Sequence, residues 1–520
     1  MARRAFTITP LGVWGAAAAA LLLFLTLGTL IAVALRAEFS QGLGRADIAA
    51  LKFTLTQAFF SALISTALAI PIARALARRR FPGRQILITL LGAPFILPVI
   101  VAVLGLLAVF GRSGLFNQIL NSLGIETVSI YGFTGVLLAH VFFNLPLATR
   151  LMLQAWLTIP GERFRLAQSL GFPPRAVFRQ IELPMLRETI PGIFAVIFLI
   201  CTTSFAVALT LGGGPRATTI ELAIYQALRS DFDPGKAAML AAIQFLICSL
   251  AATTAWYFTR QQDSAAGLDR SIHRLDVASP LLRGMDAFWL TLAAAFVALP
   301  LLMVIQRGLM QVLTLPEVVW WAAGRSVVMA VLSAIVMLIL VVPLALIAAK
   351  RRRAWPEAVA YLSVSASPLV IGTGLFILLN PHFNPRDLAL PITILVNAAM
   401  AVPFALRALL PAIREVERNW SPLADQLGIT GLARFRLVIL PRVRAPLGFA
   451  LGLTAALSMG DLGVVALFAD PEAGTLPLMI YRLMGAYRMD QAAGAALLLL
   501  GLSLVIFMIF ERGGQRHADT

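Results

Sequence analysis

Long apolar stretches, separated by short polar or basic segments, dominate the pattern along the chain. A helix that crosses a bilayer needs about 20 predominantly apolar residues, because the hydrocarbon core is about 30 Å thick. By this criterion the sequence predicts twelve membrane spans in two sets of six. The first set lies near 11–35, 52–76, 86–110, 131–156, 189–211 and 236–258, and the second near 285–306, 326–349, 357–379, 388–411, 446–469 and 491–511. The polar segment 259–284 separates the two sets.

Composition agrees with a membrane location. Of the 520 residues, 59% are hydrophobic and only 13% are charged, whereas soluble domains carry about twice that share of charge. The net charge of +17 does not indicate nucleic-acid binding, because the basic residues occur in short clusters between apolar stretches. Cys201 and Cys248 both lie in apolar stretches and offer neither a disulfide framework nor metal-ligand spacing. The N-terminal apolar run is too long for a signal-peptide core, so we predict a retained anchor.

The positions of Lys and Arg orient the predicted spans, because cytoplasmic loops of membrane proteins carry an excess of both. With the N-terminus inside, the basic clusters fall on the cytoplasmic side and the outer loops keep scattered single arginines. The inner clusters contain Arg3, Arg4, Arg78, Arg79, Arg80, Arg84, Arg163, Arg165, Arg175, Arg179, Lys350, Arg351, Arg352, Arg353, Arg434, Arg436, Arg442, Arg444, Arg512 and Arg516. We therefore predict that both termini lie in the cytoplasm.

The two sets of spans are also internal repeats. An ungapped shift of 257 residues places Gly171 on Gly428 and Pro184 on Pro441. Six is an even number, so both halves enter the membrane in the same direction, which predicts parallel repeats about an axis along the membrane normal. The predicted domains are an N-terminal anchor with the first outer loop (1–51), a first transmembrane domain (52–259), a linker with the seventh span and an outer loop (260–325), a second transmembrane domain (326–512) and a cytoplasmic tail (513–520).

One basic, proline-containing segment recurs on the predicted inner side, between the fourth and fifth spans of each half. In the first copy, 162–170 can form a short helix that Gly171 ends with positive φ, and Pro173 and Pro174 suit the first turn of a second helix. In the second copy, the second helix follows Thr430, a predicted N-cap.

Three structural details follow for these copies. Pro184 and Pro441 are expected to break the chain before the next span. A small residue, Ala167 or Ala424, is expected on the exposed face. An amphipathic loop on the bilayer would explain one copy; two copies in register favour a helix–turn–helix projection that docks on a twofold cytoplasmic partner.

The spacing Ala-x-x-x-Gly, followed after nine residues by an aliphatic residue, any residue and Leu-Pro, resembles the EAA coupling loop of binding-protein-dependent ABC importer permeases. The matching residues are Ala167, Gly171, Ile181, Leu183 and Pro184, and again Ala424, Gly428, Val438, Leu440 and Pro441. Arg165 and Pro422 stand where the motif begins with an acid. The resemblance implies that each loop docks into a cleft of an ATPase subunit.

More narrowly, nearly the whole chain resembles the fused two-domain permeases of bacterial thiamine importers. The stretches that carry this are LARRRFPGR (76–84), LAHVFFNLPLATRL (138–151), LGGGPRATTIELAIYQAL (211–228) and SMGDLGVVALF (458–468). The resemblance implies an all-α type I ABC importer permease fold in the bacterial inner membrane. It also implies a homodimeric cytoplasmic ATPase, a periplasmic substrate-binding protein, and thiamine or its phosphate esters as cargo.

Two alternatives remain open. A fused permease for ferric iron has a similar architecture, and an ion-coupled secondary transporter also has twelve spans in two halves. The second alternative predicts intramembrane charges and no duplicated cytoplasmic loop, and only Asp461 favours it.

Motifs for catalysis or cofactor binding are absent from the sequence. No segment matches G-x-x-x-x-G-K-[ST], and the pair Gly235-Lys236 leads directly into a predicted span. The glycines of 211–215 are better explained by a flexible turn. We therefore expect no enzyme activity, cofactor or metal in this chain, and ATP hydrolysis by a partner.

Asp461 is the strongest single candidate for the translocation pathway. An ionised carboxylate that faces lipid costs at least about 2.5 kcal/mol, so it is expected to face a cavity or a hydrogen-bonding partner. A purely structural, hydrogen-bonded role is the alternative. His140 and Asn144 are interpreted as hydrogen-bonding residues between helices, and their counterparts Asn397 and Ala401 do not suggest a symmetric ligand site. Phe142, Phe143 and Phe205 are interpreted as packing residues.

Overall fold

The computed structural model describes residues 10–38, 42–92, 94, 96–214, 217–259, 279–351, 354–384, 387–468 and 474–515. The chain is helical through these residues and contains no strand there. The first half contains α1 (Pro10–Leu23), α2 (Thr29–Arg36), α3 (Arg45–Arg78), α4 (Arg84–Gly92), α5 (Val99–Phe110), α6 (Leu115–Ser122), α7 (Phe133–Leu157), α8 (Gly161–Ser169), α9 (Pro174–Val177), α10 (Leu183–Thr202), α11 (Ala206–Leu211), α12 (Ile220–Arg229) and α13 (Pro234–Thr259).

The second half is built similarly but from fewer and longer helices. It contains α14 (Pro280–Leu309), α15 (Glu317–Arg351), α16 (Trp355–Ser365), α17 (Pro368–Leu379), α18 (Ala389–Gln426), α19 (Gly431–Arg434), α20 (Leu440–Met459), α21 (Gly463–Phe468), α22 (Leu476–Gly485) and α23 (Met489–Gln515). Short π-helical segments join α1 to α2 (Phe24–Gly28), α9 to α10 (Phe178–Glu182) and α19 to α20 (Phe435–Ile439), and a 3₁₀ turn (Val312–Thr314) follows α14.

Within the described residues, eleven helices are long and apolar enough to cross a membrane. The number becomes twelve if the pair Trp355–Ser363 and Pro368–Leu379, bent by 85°, counts as one span. The predicted third span, 86–110, is wrong in its bounds, because α4 ends at Gly92 and α5 begins at Val99. Residues 260–278 of the predicted linker lie outside the described residues, and α14 already begins at Pro280.

Corresponding elements of the two halves begin at matching positions. The segment from α9 to α11 and the segment from α19 to α21 have identical element lengths, offset by 257 residues. Hydrogen bonds match as well: the Ile220 backbone N–H donates to Thr54 Oγ1 at 2.9 Å, and the Leu476 N–H donates to Ser326 Oγ at 2.8 Å. The local structure therefore repeats along with the sequence pattern.

The first helices of each half pack on the other half. α1 and α2 contact α15, α16 and α17, whereas α14 contacts α5 and α3. Glycines make the crossings possible, because small residues let helix backbones approach closely. A Cβ at Gly105 would lie 2.6 Å from the Pro300 carbonyl oxygen, and one at Gly374 would lie 2.5 Å from the Thr29 carbonyl oxygen. The two halves are thus interlocked rather than set side by side.

Candidate coupling loops and central polar site

The two predicted coupling loops have the same turn. Gly171 and Gly428 have φ of 67° and 65°, as the sequence predicts. In the first loop, the Phe172 N–H donates to the Ala167 carbonyl at 2.9 Å and the Gly171 N–H donates to the Gln168 carbonyl at 3.0 Å. The second loop has the corresponding bonds at 2.9 and 3.2 Å. This pair of bonds is a Schellman motif, which satisfies the last carbonyls of a helix through a residue in the left-handed region.

The exposed face of each loop differs from the expectation. Ala167 and Ala424 are 3% and 2% exposed, so the prediction that the small residue is exposed is wrong. Each alanine lies where the helix closes against the following turn, since its carbonyl accepts the N–H of Phe172 or Ile429. Leucines at repeat-related positions are exposed in both loops: Leu166, Leu170, Leu423 and Leu427, each between 47% and 65% exposed. The second loop also exposes Leu432 and Leu437. Pairs of exposed leucines in a polar loop are typical of an interaction surface.

Pro184 and Pro441 do not break the chain, contrary to the prediction. Each occupies the first turn of a helix, α10 or α20, that continues directly from a π-helical segment. A proline in the first turn is tolerated, because its missing N–H is not needed for the helical ladder there. Ile181, Leu183, Val438 and Leu440 lie in or next to these segments. Thr430 is the N-cap of α19 by position, but its side chain makes no capping hydrogen bond.

The first loop is attached to α3 by an ion pair whose carboxylate is buried. Arg74 Nε donates to Glu182 Oε2 at 2.6 Å, and Glu182 is fully buried. The Arg74 guanidinium also lies over the Phe178 ring, 4.7 Å from its centroid. Arg74 lies in α3 and Glu182 lies in the π-helical segment of the loop. The pair therefore connects the loop directly to a long predicted span.

The second loop is braced by its own residues instead. Arg434 Nη1 donates to Asp425 Oδ1 at 2.7 Å, and Nη2 donates to Glu417 Oε2 at 3.0 Å. Arg434 also donates to Ser421. The helix here is also continuous: α18 extends from Ala389 to Gln426, whereas α7 and α8 are separate.

The helices that follow the loops are interrupted at equivalent places. α10 ends at Thr202 and α20 ends at Met459, and short helices resume at Ala206 and Gly463. The last carbonyls of a helix need partners. In the first half, Gln57 Nε2 donates to the Cys201 carbonyl and Gln244 Nε2 donates to the Thr202 carbonyl, both at 2.8 Å. The interruption is therefore a stable feature of the fold.

Asp461 lies in the interruption of the second half. Its carboxylate is directed toward the backbone N–H groups of 463–465 and the side chain of Asn397. Its Oδ2 atom is buried and has no hydrogen-bond partner among the described residues. Asn397 also donates to Ser458 Oγ at 3.1 Å, and Ser458 donates to Ser333 Oγ at 3.0 Å.

The first half has a corresponding cluster, built from different residues. His140 Nε2 and Ser204 Oγ are 2.7 Å apart, and His140 Nδ1 lies 3.3 Å from Ser61 Oγ. Asn144 donates to the His140 carbonyl at 2.9 Å and to Cys201 Sγ at 3.3 Å, so the predicted role in bonding between helices is confirmed for both residues.

The prediction that these positions do not form a symmetric ligand site stays a prediction, although the two polar clusters occupy equivalent places. The 257-residue shift places His140 on Asn397, Cys201 on Ser458 and Ser204 on Asp461. The alignment of the two halves relates these positions, but the residue type differs at each of them, so the correspondence is not evident from residue identity. The two clusters therefore occupy equivalent positions in the two halves. They differ in charge, because Asp461 corresponds to the neutral Ser204.

Aromatic rings lie beside Asp461 at the junction of the halves. A Cβ built on Gly463 would lie 3.5 Å from Phe205 Cδ1 and 3.9 Å from Asp461 Oδ1, so all three are close together. The rings of Phe205 and Tyr225 meet edge to face with centroids 5.3 Å apart. Tyr225 and Tyr481 occupy repeat-related positions, and both pack against the hydrophobic core cluster that contains Phe205 and Val464. Phe142 is a packing residue as predicted, fully buried against Phe143 and Phe296.

Similarity to characterised proteins covers almost the whole chain. The thiamine transport system permease protein of Brucella abortus (strain 2308) is 40% identical over 526 aligned positions, covering 97% of this chain and 96% of the relative. That of Escherichia coli (strain K12) is 41% identical over 498 positions, covering 90% and 89%. The chain belongs to the family of thiamine transport system permease proteins. No family model matches it.

A third relative is informative about the two halves. A probable sulfate transport system permease protein of Helicosporidium is 30% identical over 236 positions, which cover 87% of that protein but only 44% of this chain. One half of the chain therefore has about the length of that complete permease. Together with the helical structure and the eleven or twelve candidate spans, this agrees with an all-α ABC permease.

Proposed function

We propose that this chain is the membrane-translocation subunit of an importer that carries thiamine or its phosphate esters across the bacterial inner membrane. The observation that carries the proposal is similarity over nearly the full length to thiamine transport permeases. The matched coupling loops support it, because both copies keep the glycine turn and the Leu-Pro element.

ATP hydrolysis is assigned to a separate cytoplasmic ATPase dimer. The sequence contains no Walker A segment to hold the phosphates of ATP. Two loops with one fold offer two equivalent docking positions, which suits a homodimeric ATPase. The leucine pairs Leu166/Leu170 and Leu423/Leu427 would enter its clefts, because they are the large apolar side chains on the exposed face of α8 and of the end of α18.

The loops would transmit ATPase movement to the pathway through rigid connections. In the first half, the Arg74–Glu182 pair links the loop to α3. In both halves, a continuous helical run leads from the loop to the interruption at 203–205 or 460–462. A rotation of the loops would therefore move the interrupted segments and change which side of the membrane can reach them.

The opposite face would receive a periplasmic substrate-binding protein, which delivers the cargo. The charge distribution supports the N-in, C-in orientation, with the segments 160–184 and 415–441 in the cytoplasm. Single cysteines at Ser169 and Gln426, both on the loops, test this orientation. Labelling of either position by an impermeant thiol reagent added to intact cells would contradict it.

Deletion of the gene tests the cargo. Uptake of radiolabelled thiamine should be lost in the deletion strain and restored by the wild-type gene, whereas ferric iron uptake should be unaffected. Loss of iron uptake with intact thiamine uptake would contradict the cargo. Thiamine uptake that persists with an ATPase subunit unable to hydrolyse ATP would instead indicate an ion-coupled transporter.

A further inference from the structure

We propose that Asp461, Tyr225 and Tyr481 form a binding site for an organic cation that carries an aromatic ring. The site lies where the interrupted helices of the two halves meet. The inference rests on the proposed function and gives its cargo a defined place in the membrane.

The first argument is the unpaired oxygen of Asp461. Its Oδ2 atom is buried and has no partner among the described residues, although the rest of the carboxylate faces backbone N–H groups and Asn397. An acid retained at such a depth is costly unless something else satisfies it. A carboxylate with one unpaired oxygen is suited to a cation, because the attraction is strong in a water-poor environment.

The second argument is the position of the aromatic rings. Phe205 approaches Gly463 from the other half, and its ring contacts Tyr225. Tyr225 and Tyr481 are half-buried, so part of each residue remains accessible. The faces of aromatic rings attract organic cations, and the attraction increases when water is excluded. A flat cationic ring could therefore lie against a tyrosine while Asp461 neutralises its charge.

The third argument is the asymmetry between the halves. Repeat-related interruptions in membrane helices mark the place where transporters bind their cargo. Here the two interruptions differ by one charge, because Ser204 replaces the acid in the first half. A single charge on one side of the junction suits a monovalent cation and would bind it in one orientation.

Charge-selective labelling tests the site without depending on transport. In the Tyr481→Cys variant, assembled with its ATPase, a cationic methanethiosulfonate should react about tenfold faster than an anionic one, because Asp461 attracts the cation. Adding Asp461→Asn should remove the preference. The parent chain is the control, since Cys201 and Cys248 are both fully buried. Equal rates for both reagents in the single variant would overturn the site.

Uptake by proteoliposomes that contain the whole importer provides the second measurement. Asp461→Asn should lower thiamine uptake about tenfold, and Asp461→Glu should retain most of it. If Asp461 were only a structural hydrogen-bonding residue, asparagine, which keeps its size, would be tolerated better than the longer glutamate. Tyr225→Phe with Tyr481→Phe should be tolerated, whereas the corresponding leucine pair should not, because only the ring face is required.

Glu221→Gln is the matched control for loss of a buried acid. Glu221 is buried, bonds to Gln244 at 3.1 Å, and burial raises its pKa to about 8, so glutamine resembles its neutral form. Its uptake should stay within twofold of wild type. If the wild type takes up thiamine and Asp461→Asn does so at the same rate, the binding site is overturned and the proposed cargo is not. Absence of thiamine uptake by the wild type would contradict the proposed cargo, and the labelling would still decide whether a cation site exists.

Discussion

The two coupling loops share one turn but differ in how they are held. The thirtieth residue of α3 is Arg74, and the thirtieth residue of α15 is Leu346. The last residue of the first π-helical segment is Glu182, and that of the second is Ile439. The first loop therefore uses an ion pair with a buried carboxylate where the second has two buried aliphatic side chains, 9% and 4% exposed.

This difference shows which parts of a duplicated element are constrained. The glycine turn and its two hydrogen bonds recur, because this motif both satisfies the last carbonyls of the helix and redirects the chain. The attachment to the core varies, because either an ion pair with good geometry or an apolar contact can fill the same volume. The second loop compensates with Arg434, which joins three side chains of α18.

The largest effect is expected when both turns are changed together. Gly171→Val with Gly428→Val places β-branched residues at positive φ, which costs on the order of 1–3 kcal/mol at each site. We expect loss of thiamine uptake and of ATPase co-purification, with the chain still inserted in the membrane. Gly501→Val, at an exposed helical position with no neighbour within 4 Å of the new Cβ, is the control. Unchanged uptake in the double variant would contradict the coupling role.

The second prediction uses the second half as a template for the first. Glu182→Ile alone leaves Arg74 without its carboxylate and should destabilise the purified permease by about 3 kcal/mol. Arg74→Leu with Glu182→Ile reproduces Leu346 and Ile439 and should recover most of the loss. Thermal unfolding in detergent, with ATPase binding as a second readout, measures both. A double variant no more stable than the single one would show that the two attachments are not interchangeable.

The sequence predicts the repeated parts of the molecule well and the parts between repeats poorly. The length of the apolar stretches was sufficient to place most spans, and the glycine spacing was sufficient to place both turns. It was not sufficient to place Ala167, because a helix of nine residues has several apolar positions and the following turn decides which of them is buried. The break near Pro98 was missed, since an apolar run remains equally apolar whether its helix is continuous or bent.

The third prediction concerns the docking faces, which should be equal although the attachments differ. Leu166→Ser with Leu170→Ser, and separately Leu423→Ser with Leu427→Ser, should each weaken ATPase binding about thirtyfold. Each leucine is roughly half exposed, so burial of its exposed part contributes about 1 kcal/mol, or about 2 kcal/mol for a pair. Stability of the isolated permease should change little, since these side chains are already exposed. A defect confined to one pair would indicate that a single loop carries the docking.

The smallest effect is expected at the position where both loops lack the acid that begins the EAA motif. Arg165 lies 3.6 Å from Glu162, and both side chains are at least half exposed, so the pair contributes little. Arg165→Ala should therefore leave thiamine uptake and ATPase binding within twofold of wild type. The second loop supports this expectation, because Pro422 occupies the equivalent position inside α18 and provides no charge at all. A large loss of ATPase binding in Arg165→Ala would mean that the first loop makes a charged contact that the second does not, and the docking faces would then be as unequal as the attachments.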